Sequence, residues 1–112
     1  MEELAQRKCA PCDAGTPPMN AKEIELLVGQ VGEWKVVDNH HLARDFKFRN
    51  FREALDFVNR IGAVAEAEGH HPDIMLSWGK VSVTLLTHKI HGLSENDFIL
   101  AAKIDALLAP VR

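Results

Sequence analysis

Chemistry in this chain is concentrated at His70, His71 and Pro72, followed by Trp78, His88 and Asp97. Imidazole changes charge nearer neutral pH than any other unperturbed side chain. Histidines gathered in one place therefore either ligate a metal or move protons. Three of them suffice for a catalytic zinc with water as the fourth ligand, and Asp73, Glu66 and Asp97 stand close enough in sequence to act as outer partners. Against a shared ion, an extended backbone throws adjacent histidines to opposite faces. Spacing alone leaves metal binding, proton transfer and histidines with neither task open.

The elements around these residues read as three helices and about four strands. Asn20 with Glu23 has the pattern of a reciprocal N-cap, opening a short helix through Ile24, Leu27 and Val28 that Gly29 or Gly32 would end. Trp34 to Asp38 reads as a strand and Asn39-His40 as a turn. Leu42 to Phe48 reads as a second strand, with Leu42, Phe46 and Phe48 on one face and Arg44 intruding on it. Asn50 with Glu53 repeats the capping pattern. The helix that follows carries Phe51, Ala54, Leu55, Val58, Ile61 and Ala65 at one-face spacing, and Gly69 is its expected terminator. Ile74 to Trp78 against Val81 to Thr87 reads as a hairpin turning at Gly79-Lys80. Alternation of Val81, Val83 and Leu85 with Ser82 and Thr84 marks a sheet with one dry face. Ser94 with Asp97 caps a last helix bearing Phe98, Ala101, Ala102, Ile104 and Leu108. The order α-β-β-α-β-β-α predicts an α+β domain: a four-stranded antiparallel sheet with three helices on one face.

The hairpin makes a statement about the histidines. A turn at Gly79-Lys80 places Trp78 against Val81 and, counting outward, His71 against His88 with β-carbons about 5 Å apart. Pro72 holds His71 extended and removes a backbone donor, so pairing fails there and His70 is free to turn inward. A slip of the turn would undo the cluster.

At 112 residues the chain is expected to form one domain over residues 20–112, preceded by a flexible arm over residues 1–19. The arm holds Cys9 and Cys12, half of a structural zinc site with no second pair, and no strand precedes them as a redox motif requires. A net charge of −3 argues against a nucleic-acid surface. The apolar runs are too short to cross a bilayer, and Met1 to Lys8 lacks the apolar core of a signal peptide. A cytoplasmic location is the expectation.

The run Glu66-Ala-Glu-Gly-His70-His71-Pro72-Asp73, with Trp78, Thr87-His88 and Gly92-Leu93-Ser94-Glu95-Asn96-Asp97, resembles the pterin-4a-carbinolamine dehydratases. In that family an acidic or basic residue stands four positions before a His-His-Pro, and an aromatic, a histidine and an aspartate follow. Every such position is filled here, by Glu66, His70, His71, Pro72, Trp78, His88 and Asp97. The likeness runs from about residue 20 to residue 108, and the cysteine-bearing arm is similar to bacterial members.

The resemblance implies a metal-independent lyase without a cofactor, the pterin being its substrate. Loss of water from a 4a-hydroxytetrahydropterin, formed by an aromatic amino acid hydroxylase, would give the quinonoid dihydropterin for tetrahydrobiopterin recycling. A homodimer or homotetramer is implied, with no nucleic-acid or membrane partner. By the same resemblance His70 and His88 are the acid–base residues and His71 positions the pterin. Glu66, one helical turn before His70, is expected to orient it or to be a plain surface carboxylate. Asp97 is expected to cap its helix, Trp78 to pack or to stack on the pterin, and Asp73 to accept from a pterin amino group. His40, His41 and His91 are expected at the surface. Two rivals stay open: a dimerisation or regulatory binding module of the same fold, and a dehydratase-like protein acting on a molybdopterin-related pterin.

Overall fold

The computed structural model describes residues 3–10 and 15–108. Helices α1 (Ala21–Val28), α2 (Phe51–Glu68) and α3 (Glu95–Ala106) accompany strands β1 (Lys35–Val37), β2 (His41–Lys47), β3 (Asp73–Ser77) and β4 (Lys80–Leu85). The strands form one antiparallel sheet in the order β1-β2-β4-β3, the expected α+β architecture. None of the described helices is long and apolar enough to cross a membrane.

Local signals explain where the helices begin and end. Asn20 Oδ1 accepts from the Glu23 backbone N–H while Glu23 Oε1 accepts from that of Asn20, so two otherwise orphaned donors are satisfied. Asn50 Oδ1 accepts from the Glu53 N–H at 2.9 Å. At the other end of α2, Gly69 adopts a left-handed conformation (φ 66°) that a side chain would strain. This glycine turns the chain out of α2 and delivers His70 and His71.

One face of the sheet is dry. Leu42 and Phe46 of β2 lie beside Val81, Val83 and Leu85 of β4, all buried against Ile24, Phe57, Ile61, Phe98 and Ile104 of the helices. On α2 the buried face is Ala54, Phe57, Ile61 and Ala65. Phe51, expected on that face, is exposed, and Phe57 takes the central place, its ring 4.9 Å from that of Phe46 and 5.1 Å from that of Phe48.

Arg44 does intrude on the dry face, and Asp105 of α3 accommodates it. The Arg44 guanidinium donates to Asp105 Oδ1 at 2.7 Å and lies 4.5 Å from the centre of the Phe46 ring. Asp105 also accepts from Trp34 Nε1 and the Gly32 N–H, both at 2.8 Å. Gly32 is needed for this approach, because a Cβ there would sit 2.7 Å from the guanidinium. Asp105→Ala would leave a largely buried cation with exposed Glu33 3.7 Å away and deprive an indole N–H of its acceptor. An expected loss of about 3 kcal/mol should appear in chemical denaturation, and a variant as stable as the wild type would remove Asp105 as the clasp between α3 and β2.

The two hairpins turn one residue earlier than expected. Between β1 and β2 the positive φ values fall on Asp38 and Asn39, and His40 N–H closes the turn on Val37 O. Between β3 and β4 the pair Ser77–Lys80 encloses Trp78-Gly79, so Leu76 rather than Trp78 faces Val81. Gly79 is not left-handed; it is small because a Cβ would meet the Phe48 carbonyl at 3.0 Å. The register therefore slips by two residues, which keeps every side chain on its expected face but removes the direct opposition of His71 and His88. Strand β4 also ends at Leu85, and His88–Ile90 forms a short 3-10 turn.

Candidate active site

Four segments converge on a cavity of about 480 Å³: the exit from α2, the 3-10 turn after β4, residues 9–10 ahead of α1, and Asn96 at the start of α3. Its lining includes His70, His71 and His88. The three histidines thus line one cavity, by a route other than the expected strand opposition: two follow a helix C-cap and the third sits on a turn beyond the strand. Among the described residues no group of three or more His, Cys, Asp or Glu side chains has the geometry to hold a metal ion.

His70 is the best-fixed of the three. Its Nε2 lies 2.6 Å from Oδ1 of Asp97, whose side chain is wholly buried, while the imidazole retains 12% exposure. Oδ2 of Asp97 accepts from the Ser94 N–H at 2.9 Å and from Thr87 Oγ1 at 2.8 Å, and Thr87 Oγ1 is 2.7 Å from Ser94 Oγ. With Oδ2 occupied, Oδ1 takes the proton of His70 Nε2. The hydrogen-bond network thus assigns the Nε2–H tautomer and leaves Nδ1 as the basic nitrogen. Asp97 caps α3 as expected and also orients His70.

Glu66 bonds His71 Nε2 rather than His70. The helix ends at Glu68, so helical spacing no longer applies to residue 70, and left-handed Gly69 redirects the chain. Both members of the Glu66–His71 pair are exposed, and water screens such a contact heavily. His88 is exposed at the cavity. Pro72 stands half-buried just before β3, Asp73 begins β3 on the open face of the sheet, and Trp78 is 69% exposed at the hairpin turn. None of these three lines the cavity. His40 and His91 are exposed, and His41 is half-buried at the start of β2.

Thr87 and the cysteine segment are the participants that reading the sequence missed. Thr87 has the parity of Val81, Val83 and Leu85, so it continues the dry side as a polar residue. A buried hydroxyl requires a partner, and this was the available signal. The cysteine segment offered none. Cys9 N–H donates to Glu68 Oε1 at 2.8 Å, which with Lys103 3.7 Å away holds the Glu68 carboxyl below its ordinary range. Burial, then the Glu68 charge, pushes the Cys9 thiol up to about 12. Cys12 lies outside the described residues.

The model of the pterin 4 alpha carbinolamine dehydratase family matches residues 17–107. The chain belongs to this family. A protein of Alkaliphilus metalliredigens, provisionally named a pterin-4-alpha-carbinolamine dehydratase, is 59% identical over 94% of this chain and 96% of its own length. One of Rubrobacter xylanophilus with the same provisional name is 57% identical over 96% of this chain and all of its own. Among solved structures, a transcriptional coactivator/pterin dehydratase from Brucella melitensis superposes with a TM-score of 0.77. It is 30% identical and covers 82% of this chain and 99% of its own. A pterin dehydratase-like protein identified as a RuBisCO assembly factor of the α-carboxysome superposes at 0.58, with 26% identity over 68% of this chain and 89% of its own. Membership in the dehydratase family directs attention to the histidine cavity.

Proposed function

We propose that the protein dehydrates a 4a-hydroxytetrahydropterin to the quinonoid dihydropterin by imidazole acid–base catalysis. The observation that carries this reading is the convergence of His70, His71 and His88 on one cavity, with His70 held in a single tautomer by buried Asp97. Hydroxide leaves poorly at neutral pH, so the 4a-oxygen must gain a proton as its bond to carbon breaks. A ring nitrogen must lose a proton as the C=N bond forms. The balance is one water released and no net change in protons, so two sites suffice, one donating and one accepting. In its neutral form His70 presents Nδ1 as an acceptor, which suits the accepting role, and His88, exposed at the same cavity, suits the donating one. His71 holds the ring between them. Each well-placed transfer contributes about 10²–10⁴ in rate.

Cytoplasmic recycling of tetrahydrobiopterin and self-association belong to the same proposal. Both edge strands, β1 and β3, are unpaired on one side among the described residues and could extend the sheet through a second copy. A binding role has support of its own, because both solved relatives described above carry names that include coactivation or assembly. The two readings separate by assay. Purified protein should hasten disappearance of the 4a-hydroxy species, equally with and without EDTA; no acceleration would leave the binding role.

A further inference from the structure

One wall of the histidine cavity comes from outside the helices and sheet. Cys9 and Ala10 line it together with His70, His71 and His88, and side chains far away in sequence hold them there. Asn96 at the start of α3 pairs with the peptide of Ala10 in both directions: Ala10 N–H donates to Oδ1 at 2.9 Å, and Nδ2 donates to Ala10 O at 2.6 Å. Glu68, two residues before His70, accepts from the Cys9 N–H. Upstream, Leu4 is buried in the core and Lys103 Nζ donates to Ala5 O at 2.8 Å.

Leu4 and the Lys103 hydrogen bond anchor the start of the segment to the core. The polar clamps do something more specific, because they fix the backbone of residues 9 and 10 at the cavity itself. Glu68 adjoins the α2 cap that delivers His70, and Asn96 adjoins Asp97, which orients it. Arm and catalytic histidine are therefore positioned from the same two helix ends. We propose that Cys9 and Ala10, held by Glu68 and Asn96, form a built wall of the substrate cavity and contribute to binding the neutral pterin ring.

The chemistry of the wall suits a neutral ring. Both side chains are small. The Cys9 thiol points its weak donor at Asn96 O, 3.7 Å away, and burial beside the Glu68 carboxylate keeps it protonated, so no thiolate faces the ring. The cavity volume of about 480 Å³ lies within the range of small-molecule sites. This inference rests on the dehydratase reading above.

Steady-state dehydration kinetics of Ala10→Trp and Asn96→Ala test it. Ala10 is exposed, and its clamps are backbone atoms, so Ala10→Trp adds an indole to the wall without disturbing the core. Both variants should raise KM at least about fivefold with kcat within about twofold of wild type. A merely structural role would lower the melting temperature without this split. An unchanged KM in Ala10→Trp, with wild-type dehydration intact, overturns the wall and leaves the dehydratase reading standing. Absence of dehydration by the wild type overturns both.

Discussion

His70→Ala is expected to lower kcat for dehydration by about 10²–10⁴, with KM changed far less. The deleted imidazole is the cavity group held by a buried partner, through the 2.6 Å contact with Asp97. Alanine there removes the basic nitrogen and leaves Asp97 Oδ1 facing an empty site. Leaving a buried carboxylate oxygen without its hydrogen-bond donor costs about 1–3 kcal/mol or more, so the kinetics belong well below the melting temperature of the variant, with circular dichroism confirming the fold. A kcat within about threefold of wild type would remove His70 from the proton transfers.

Asp97→Asn separates orientation from mere presence. Oδ2 of Asp97 accepts two hydrogen bonds, from the Ser94 N–H and Thr87 Oγ1. The asparagine oxygen is therefore held on that side, and its NH₂ group must face His70 Nε2. An imidazole meeting a donor at Nε2 moves its own proton to Nδ1. The variant would thus keep every ring in place while presenting an N–H where the wild type presents a lone pair. The same swap in the serine protease triad costs about 10⁴, and a loss of about 10²–10⁴ in kcat is expected here. Nitrogen-15 shifts of the His70 ring should report the exchange of tautomers. Wild-type kcat with an unaltered tautomer would reduce Asp97 to a helix cap.

Legibility in the sequence followed the range of the interaction. The caps of α1 and α2 were readable because Asn20 with Glu23, and Asn50 with Glu53, are bonded within three residues. The left-handed Gly69 was readable for the same reason. The β3–β4 register was not, since Trp78-Gly79 and Gly79-Lys80 are both two-residue turns containing glycine. What decides between them is the close approach of Phe48, the residue after β2, a tertiary fact. The site divides along the same line. Its histidines were marked by type, spacing and resemblance, whereas the partner of His70 lies 27 residues away across the fold. Helical spacing put Glu66 with His70, but the helix stops before that residue. The arm was the least legible part. Its clamps join Cys9 to Glu68 and Ala10 to Asn96, separations of 59 and 86 residues, and no periodic pattern encodes them.

The central claim is that this cavity dehydrates a pterin carbinolamine by imidazole proton transfer. Stopped-flow absorbance of freshly generated 4a-hydroxytetrahydropterin, with wild type and His88→Ala side by side, tests it most directly. His88 is exposed and lies on a surface turn, so its replacement leaves the core intact. The expected result is rapid decay with wild type and a rate lower by at least about a hundredfold with the variant. Decay at the uncatalysed rate with wild type, or equal acceleration by both proteins, would contradict the claim.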